Sequence, residues 1–358
     1  MSINIIIAFF LSFALSLITT RQVIRFSLKL HIGDKPLENR KIHKVITPNL
    51  GGIGVFIGTC VAYFAFSDYS LTIQPDKLFS ISIFLFFLGV RDDLEPMGAL
   101  RRLFMEFACA IFIIYMTDIR LITLWGIFGI DELPIIASYI LTSVFIVGCI
   151  NSYNFIDGLD GLLGSIALLG SICFGLIFNL YGEWLWTLLA VVMCGGILGF
   201  LFYNWNPSRI FMGDGGALFL GTIFSCFALR VMQLSPVESH DPSYMILVPH
   251  TIAFSIIAVP IIDMVTVFIL RILHGNSILK ADKRHVHHRL LEANLNHSSV
   301  TFIILLANIS IIIFAYLVQN QGALKSLIYT VSFCFILELI LIYCIWLYKR
   351  NHYCPNKK

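Results

Sequence analysis

Charge is scarce in this chain. Only 13% of its 358 residues are Asp, Glu, Lys or Arg, where a soluble domain carries about 25%. That shortage excludes a soluble α/β protein. The net charge of +3 is too small to argue for a nucleic-acid partner. There is no CxxC spacing among the nine cysteines, and eight of them sit singly in apolar runs, so neither a zinc site nor a disulfide framework is signalled. They read as small apolar side chains. No internal repeat and no low-complexity tract breaks the sequence, which is expected to form one domain over residues 1–358. The stretch 2–20 lacks the positive n-region and small-residue cleavage site of a signal peptide, so a retained first span is expected.

What is present is apolar, at 58% of residues. It comes in runs long enough to cross a bilayer, roughly 17–25 residues each. Eleven spans are expected, at 3–20, 49–67, 76–91, 103–117, 134–150, 162–181, 184–204, 216–234, 245–272, 300–319 and 325–348. The apolar, glycine-containing piece 119–130 is too short and reads as re-entrant or interfacial. Of the 24 Lys and Arg residues, 20 fall on one side of this arrangement. The positive-inside rule then places the N-terminus in the periplasm and the C-terminus in the cytoplasm. The expectation is an all-α, polytopic integral membrane protein.

On that topology, five polar clusters land on the cytoplasmic side. Asp92-Asp93 ends span three, where adjacent carboxylates beside lipid need a cation or basic group for relief; alone, it reads equally well as a solvated loop start. Asn151, Asn154, Asp157 and Asp160 recur every three residues. Neighbours in the series share a helix face, but the whole would spiral around a helix, so a bend at Gly158 or Gly161 is expected. Two amides and two carboxylates suit Mg²⁺, which binds hard oxygens together with substrate phosphates. Phe211-Met212-Gly213-Asp214-Gly215-Gly216 precedes span eight. Asp214 there is either a helix cap or a metal ligand beside N–H groups that would hold phosphate.

Asp263 lies about 12 Å along its helix from Arg271, inside the membrane, where a carboxylate is a functional-site hypothesis by default. A buried Asp bonded to a neighbouring helix is the plainer reading. His285, His287, His288 and Arg289 sit among Lys283 and Arg284. That positive field disfavours zinc and suits phosphate. In the first loop, the stripe Arg21, Arg25, Lys29 is explained by anionic headgroups. Asp34-Lys35-Pro36, Arg40, His43-Lys44 and Pro48-Asn49-Leu50-Gly51-Gly52 look more specific. Carboxylates for a metal, basic groups for phosphates and amides for orientation form an inventory for phosphoryl transfer.

These segments, in this order, resemble the polyprenyl-phosphate N-acetylhexosamine-1-phosphate transferases. The run from Asn151 to Leu162 and the ending His285-Val286-His287-His288-Arg289-Leu290 carry most of the likeness. The histidine form resembles the WecA/TagO branch, which uses UDP-GlcNAc, more than the MraY branch. The resemblance implies attack of undecaprenyl phosphate on the sugar-linked phosphate of UDP-GlcNAc. UMP is released, starting a lipid-linked cell-surface glycan such as an O antigen, enterobacterial common antigen or teichoic acid. It implies Mg²⁺, with Mn²⁺ as substitute, and Asp214 as metal ligand. Asp92 and Asp93 would hold the metal or engage the lipid phosphate. Asp157 and Asp160, with Asn151 and Asn154, would build the nucleotide and metal site. Phe211 would stack on uracil, and Lys44, Asp263, Arg271, His285, His287, His288 and Arg289 would bind substrate. Direct attack aided by Asp92 is favoured over a covalent aspartyl intermediate. A bacterial inner-membrane location, membrane-lipid contacts and a homodimer are further expectations. Another UDP-N-acetylhexosamine substrate and a secondary transporter are the alternatives. Two departures stand out: Pro96, beside Glu95, replaces a third acid, and Ala217 replaces a serine after Gly213-Asp214-Gly215-Gly216.

Overall fold

The computed structural model describes residues 2–33, 47–67, 74–234, 246–275 and 285–353. Thirteen α-helices are found among them and no strand; an isolated bridge joins Thr123 to Glu132. In chain order they are α1 (Ser2–Leu30), α2 (Gly52–Phe66), α3 (Gln74–Leu94), α4 (Ala99–Thr117), α5 (Ile135–Phe155), α6 (Leu162–Leu180), α7 (Trp184–Asn204), α8 (Gly213–Gln233), α9 (Pro249–Ile256), α10 (Ala258–Leu273), α11 (Val286–Leu291), α12 (His297–Val318) and α13 (Ala323–Tyr353).

Each of the eleven expected spans falls on a helix or helix pair. Seven of these helices are long and apolar enough to cross a membrane unaided, and the α9–α10 pair makes eight. The protein is therefore a polytopic membrane protein. The remaining three differ for physical reasons: α2 is only 15 residues long, while α3 and α4 carry charged residues within their length. The ninth expected span, 245–272, is not continuous. It breaks between Ile256 and Ala258, where the axis turns by 75°. Pro260 has no N–H to donate to the carbonyl of Ile256 and its ring crowds that group, so α9 ends there. The piece 119–130 is an irregular excursion with one short 3₁₀ turn, Ile127–Gly129.

Tight packing on small residues positions the site. On α7, Gly195, Gly196 and Gly199 let α1 approach so closely that a Cβ on Gly195 would lie 2.4 Å from the carbonyl of Phe9. Ser12 and Ser16 then donate to the carbonyls of Val192 and Gly196, each at 2.6 Å, as small residues do in lipid-embedded bundles. The central helix is α8. It is buried along nearly its whole length and packs on α2, α3, α5, α6 and α9. Its N-terminus is the floor of the site. In contrast α13 turns most of its surface outward, as a lipid-facing helix would.

Candidate active site

Two backbone segments, 48–52 and 211–213, meet at the start of α8. Phe211 N–H donates to Pro48 O at 2.8 Å, Gly51 N–H to Phe211 O at 2.9 Å and Gly52 N–H to Met212 O at 2.8 Å. Glycine is required where they touch. Gly213 adopts φ +78, and a Cβ there would lie 1.7 Å from the carbonyl oxygen of Asn49. The sequence suggested that the first N–H groups of α8 would hold phosphate; instead they are taken by carboxylates. Gly213 N–H donates to Asp157 Oδ2 at 2.9 Å. Asp214 and Gly215 N–H donate to Asp93 Oδ1 and Oδ2 at 3.0 and 3.1 Å. Carboxylates are favoured at this end of a helix, and here two of them seal it. Asp93 also accepts from Asn49 Nδ2 at 3.2 Å.

Asp214 is thereby held at the edge of a polar cavity of about 520 Å³, lined by Asn49, Asp92, Asp93, Pro96, Met97, Asn154, Asp157, Gly158, Phe211 and Gly213 as well. Its side chain keeps 28% of its surface exposed, against 8% for Asp92. Asp92 accepts the N–H of Met97 at 2.5 Å. One guanidinium nitrogen, Arg102 Nη1, lies 3.2 Å from Asp92 and 3.3 Å from Asp214. Arg102 also reaches Glu106 at 3.1 Å and Asn151 at 3.3 Å.

A second cavity of about 560 Å³ adjoins the first, sharing Asp92, Met97 and Asn154. It runs between α4, α5 and α10, its walls mostly apolar, with Arg102, Asn151 and Arg271 among its lining. Arg271 is buried and sits 5.7 Å from the Phe268 ring.

The histidine segment is built on Asp263. The buried carboxylate accepts from Val286 N–H and pairs with His285 Nδ1, both at 2.8 Å. It therefore holds α11 rather than facing either cavity. His287 packs under Gly158, where a Cβ would lie 3.2 Å from Nε2. Burial, then His288, pushes His287 down to about 3, so it is neutral. His288 lies beside it with its ring tilted by 44°, 4.3 Å between ring centroids, and half-buried Arg289 follows on α11. Asp160 turns away from the cavity. Its oxygens take Ser208 Oγ at 2.8 Å and Ser208 N–H at 3.2 Å, and His297 Nδ1 lies 3.3 Å away. The expected bend is real: α5 stops at Phe155, and Gly161, at φ +75, starts α6. Lys44 lies outside the described residues, with Asp34-Lys35-Pro36, Arg40, His43 and residues 280–284.

The model of "Glycosyl transferase family 4" matches residues 77–232. Over 329 residues the chain is 32% identical to a "Probable undecaprenyl-phosphate N-acetylglucosaminyl 1-phosphate transferase" of Bacillus subtilis, covering 91% of this chain and 88% of that one. The chain belongs to glycosyl transferase family 4. An "Undecaprenyl-phosphate alpha-N-acetylglucosaminyl 1-phosphate transferase" of Escherichia coli O157:H7 is 29% identical over 84% of this chain and 80% of its own. A "Decaprenyl-phosphate N-acetylglucosaminephosphotransferase" of Mycobacterium leprae is 28% identical, over 75% and 72%.

Both departures noted in the sequence can now be placed within this family 4 enzyme. Pro96 lines the polar cavity, and Ala217 is fully buried on α8 and absent from the cavity lining. Sequence reasoning missed Arg102 and Glu106 as members of the site, and gave Asn49, inside a segment it singled out, no role. In the sequence Arg102 counts only toward topology. The available signal was Arg102 and Glu106 four apart, neighbours on one face of a helix whose other charged residue is Arg101.

Proposed function

We propose that this family 4 enzyme transfers N-acetylglucosamine 1-phosphate from UDP-GlcNAc to undecaprenyl phosphate, releasing UMP and starting a lipid-linked glycan. One observation carries the reading: a polar cavity lined by carboxylates and an apolar groove ending in arginines share a wall at Asp92, Met97 and Asn154. The nucleotide suits the first and a prenyl chain the second, so that their phosphates meet along that wall. The relatives' names support undecaprenyl phosphate as acceptor and N-acetylglucosamine 1-phosphate as the group transferred; the UDP carrier is part of the proposal.

The lipid phosphate has its second pKa near ~6, so it is already mostly ionised at neutral pH and needs no strong base. An oxygen of that phosphate attacks the sugar-linked phosphorus of UDP-GlcNAc. The bond to the bridging oxygen breaks, and UMP leaves with that oxygen. Arg102 and Arg271 offer the attacking phosphate positive charge from the groove side. Asp92, fixed by Met97 N–H and Arg102, orients the attack. Phe211 offers an aromatic face to uracil, and Asn154 an amide between the two cavities. Asp93 and Asp157 act through the backbone, fixing where Asp214 points.

The residues fit Mg²⁺. Asp92 and Asp214 are hard-oxygen donors that already share one cationic nitrogen. Mg²⁺ usually binds through one or two carboxylates together with substrate phosphates, and these two carboxylates would hold it. Bound Mg²⁺ supplies charge neutralisation of the diphosphate. We read α2, α3 and α4 as crossings too, for eleven in all, with the N-terminus outside and the site on the cytoplasmic face of a bacterial inner membrane. The 20 of 24 Lys and Arg residues on that side support this.

The test is purified protein with undecaprenyl phosphate, Mg²⁺ and a panel of UDP-sugars. UMP is expected with UDP-GlcNAc, none with EDTA, and restored activity with Mn²⁺. Product from UDP-GalNAc alone reassigns the sugar. No UMP from any donor, with uptake of the nucleotide into vesicles, overturns the reading in favour of a transporter.

A further inference from the structure

Glu106 is fully buried in the middle of α4, and the reaction above gives it no task. An ionisable side chain at such a place is costly. Its surroundings show what retains it. Oε1 accepts from Arg102 Nε at 3.1 Å, and Oε2 accepts from Asn151 Nδ2 at 2.5 Å. The same arginine donates from Nη2 to Asn151 Oδ1 at 3.3 Å. Glu106, Arg102 and Asn151 thus form a closed ring of hydrogen bonds. The one arginine nitrogen left out of that ring, Nη1, is the one that bridges Asp92 and Asp214.

We propose that Glu106 is a positioning residue: it fixes the Arg102 guanidinium and the Asn151 amide, so that one arginine nitrogen stands between Asp92 and Asp214 at the junction of the two cavities. The inference rests on the transferase reading for its kinetic consequence, but its geometry stands apart from it. Both oxygens of Glu106 receive donors, so only a carboxylate serves. Glutamine can accept on one side only. Whichever way its amide is turned, an NH₂ group faces a donor, and either the Arg102 fork or the Asn151 amide must rotate out of place. Aspartate is one methylene too short to span both partners. The arrangement also explains why Asn151 presents its oxygen to Arg102: its Nδ2 is taken by Glu106 and by the carbonyl of Val147 at 2.9 Å.

The ring makes a specific rescue possible. In Glu106→Gln with Asn151→Asp, the amide and the carboxylate exchange places. The introduced glutamine then donates to the introduced aspartate and accepts from Arg102 Nε, and that aspartate accepts from Arg102 Nη2. Every bond of the ring is kept; outside it, the bond to the Val147 carbonyl gives way to a carboxylate oxygen facing that carbonyl, so the rescue is partial.

The experiment compares wild type, E106Q and E106Q/N151D in UMP release, thermal unfolding and cryo-electron microscopy. E106Q is expected to lose about 100-fold in kcat/KM, the scale of a misplacement near one ångström, with the double variant regaining about tenfold. Melting temperatures of the two variants should stay close together. A merely structural role would lower the melting temperature and the rate in parallel and give no rescue. Wild-type kcat/KM in E106Q, or a double variant no better than E106Q, overturns the proposal. If wild type itself releases no UMP, the transferase reading fails and the maps decide: Arg102 still bridging Asp92 and Asp214 in E106Q overturns the inference, and Arg102 displaced sustains it.

Discussion

Gly213→Ala gives the sharpest test of how the site is assembled. The position has φ +78, so any L side chain there costs about 1–2 kcal/mol in backbone conformation alone. The larger effect is steric. The new Cβ would sit 1.7 Å from Asn49 O, where ordinary contact begins near 3.4 Å, so the segments must part by about 1.7 Å. The obstacle is backbone on both sides, pinned through Phe211 to Pro48 and Gly51. Moving Gly213 outward breaks its bond to Asp157 and strains that from Asp214 N–H to Asp93. Hydrogen bonds to charged groups contribute about 1.5–3 kcal/mol each. Together with the backbone cost this comes to about 4–8 kcal/mol, a large part of the 5–15 kcal/mol typical of folded proteins. The expected result is a clearly lowered melting temperature and a loss of UMP release of about 100-fold or more, because Asp214 follows the backbone. Gly98→Ala is the control, since a Cβ there meets nothing within 4 Å. Gly213→Ala with wild-type rate and melting temperature would refute the account of the glycines.

Asp214→Asn should leave the melting temperature within a few degrees but lower UMP release by about 1,000-fold, the scale of lost charge stabilisation at a transition state; retained turnover argues against Asp214 as the metal ligand. Asp160→Asn should do the opposite, destabilising the protein with less than about tenfold loss of rate, since its oxygens serve Ser208 and His297. Burial pushes Asp160 up, but the bonds from His297 and Ser208 outweigh it and hold the carboxyl below its ordinary 3.8. A depressed carboxylate stabilises the fold fully above its unfolded value and loses that contribution as pH falls through the folded one. The melting-temperature gap between wild type and Asp160→Asn should therefore be full at neutral pH and close below pH 3.8; a gap independent of pH would contradict it. Phe211→Ala should raise KM for UDP-GlcNAc by about 5- to 150-fold with kcat little changed, from a base-stacking contribution of about 1–3 kcal/mol. An unchanged KM would remove Phe211 from the uracil site.

Much of the architecture was legible because lipid enforces it. Backbone groups in hydrocarbon must bond within their own helix, so apolar runs had to be helices. What was not legible follows from contacts between distant segments. The ninth span was expected to be continuous; Pro260 was the available sign of its break, but the turn depends on what α10 packs against. Asp93, Asp157 and Asp160 read as chemical groups because carboxylates in a motif look alike in sequence. The fold gives Asp93 and Asp157 to backbone N–H groups of α8, and Asp160 to Ser208, 48 residues away. Glu106 was hidden by its apolar neighbours, and Arg102 by its usefulness in counting charges. Four basic residues crowded into one short motif look equivalent in sequence, yet His285 is spent on Asp263 while His287, through Gly158, reaches the cavity wall.

The shared wall between the two cavities has a logistical meaning. A donor dissolved in water and an acceptor dissolved in oil can react there without either one changing phase, since contact is needed only at their head groups. On the proposed reaction, the nucleotide remnant would return to the aqueous side while the sugar became cargo on a hydrocarbon tether. Narrow contact between two separate berths thus turns a bond exchange into a loading step, from which the next enzyme can collect its substrate by lateral diffusion alone.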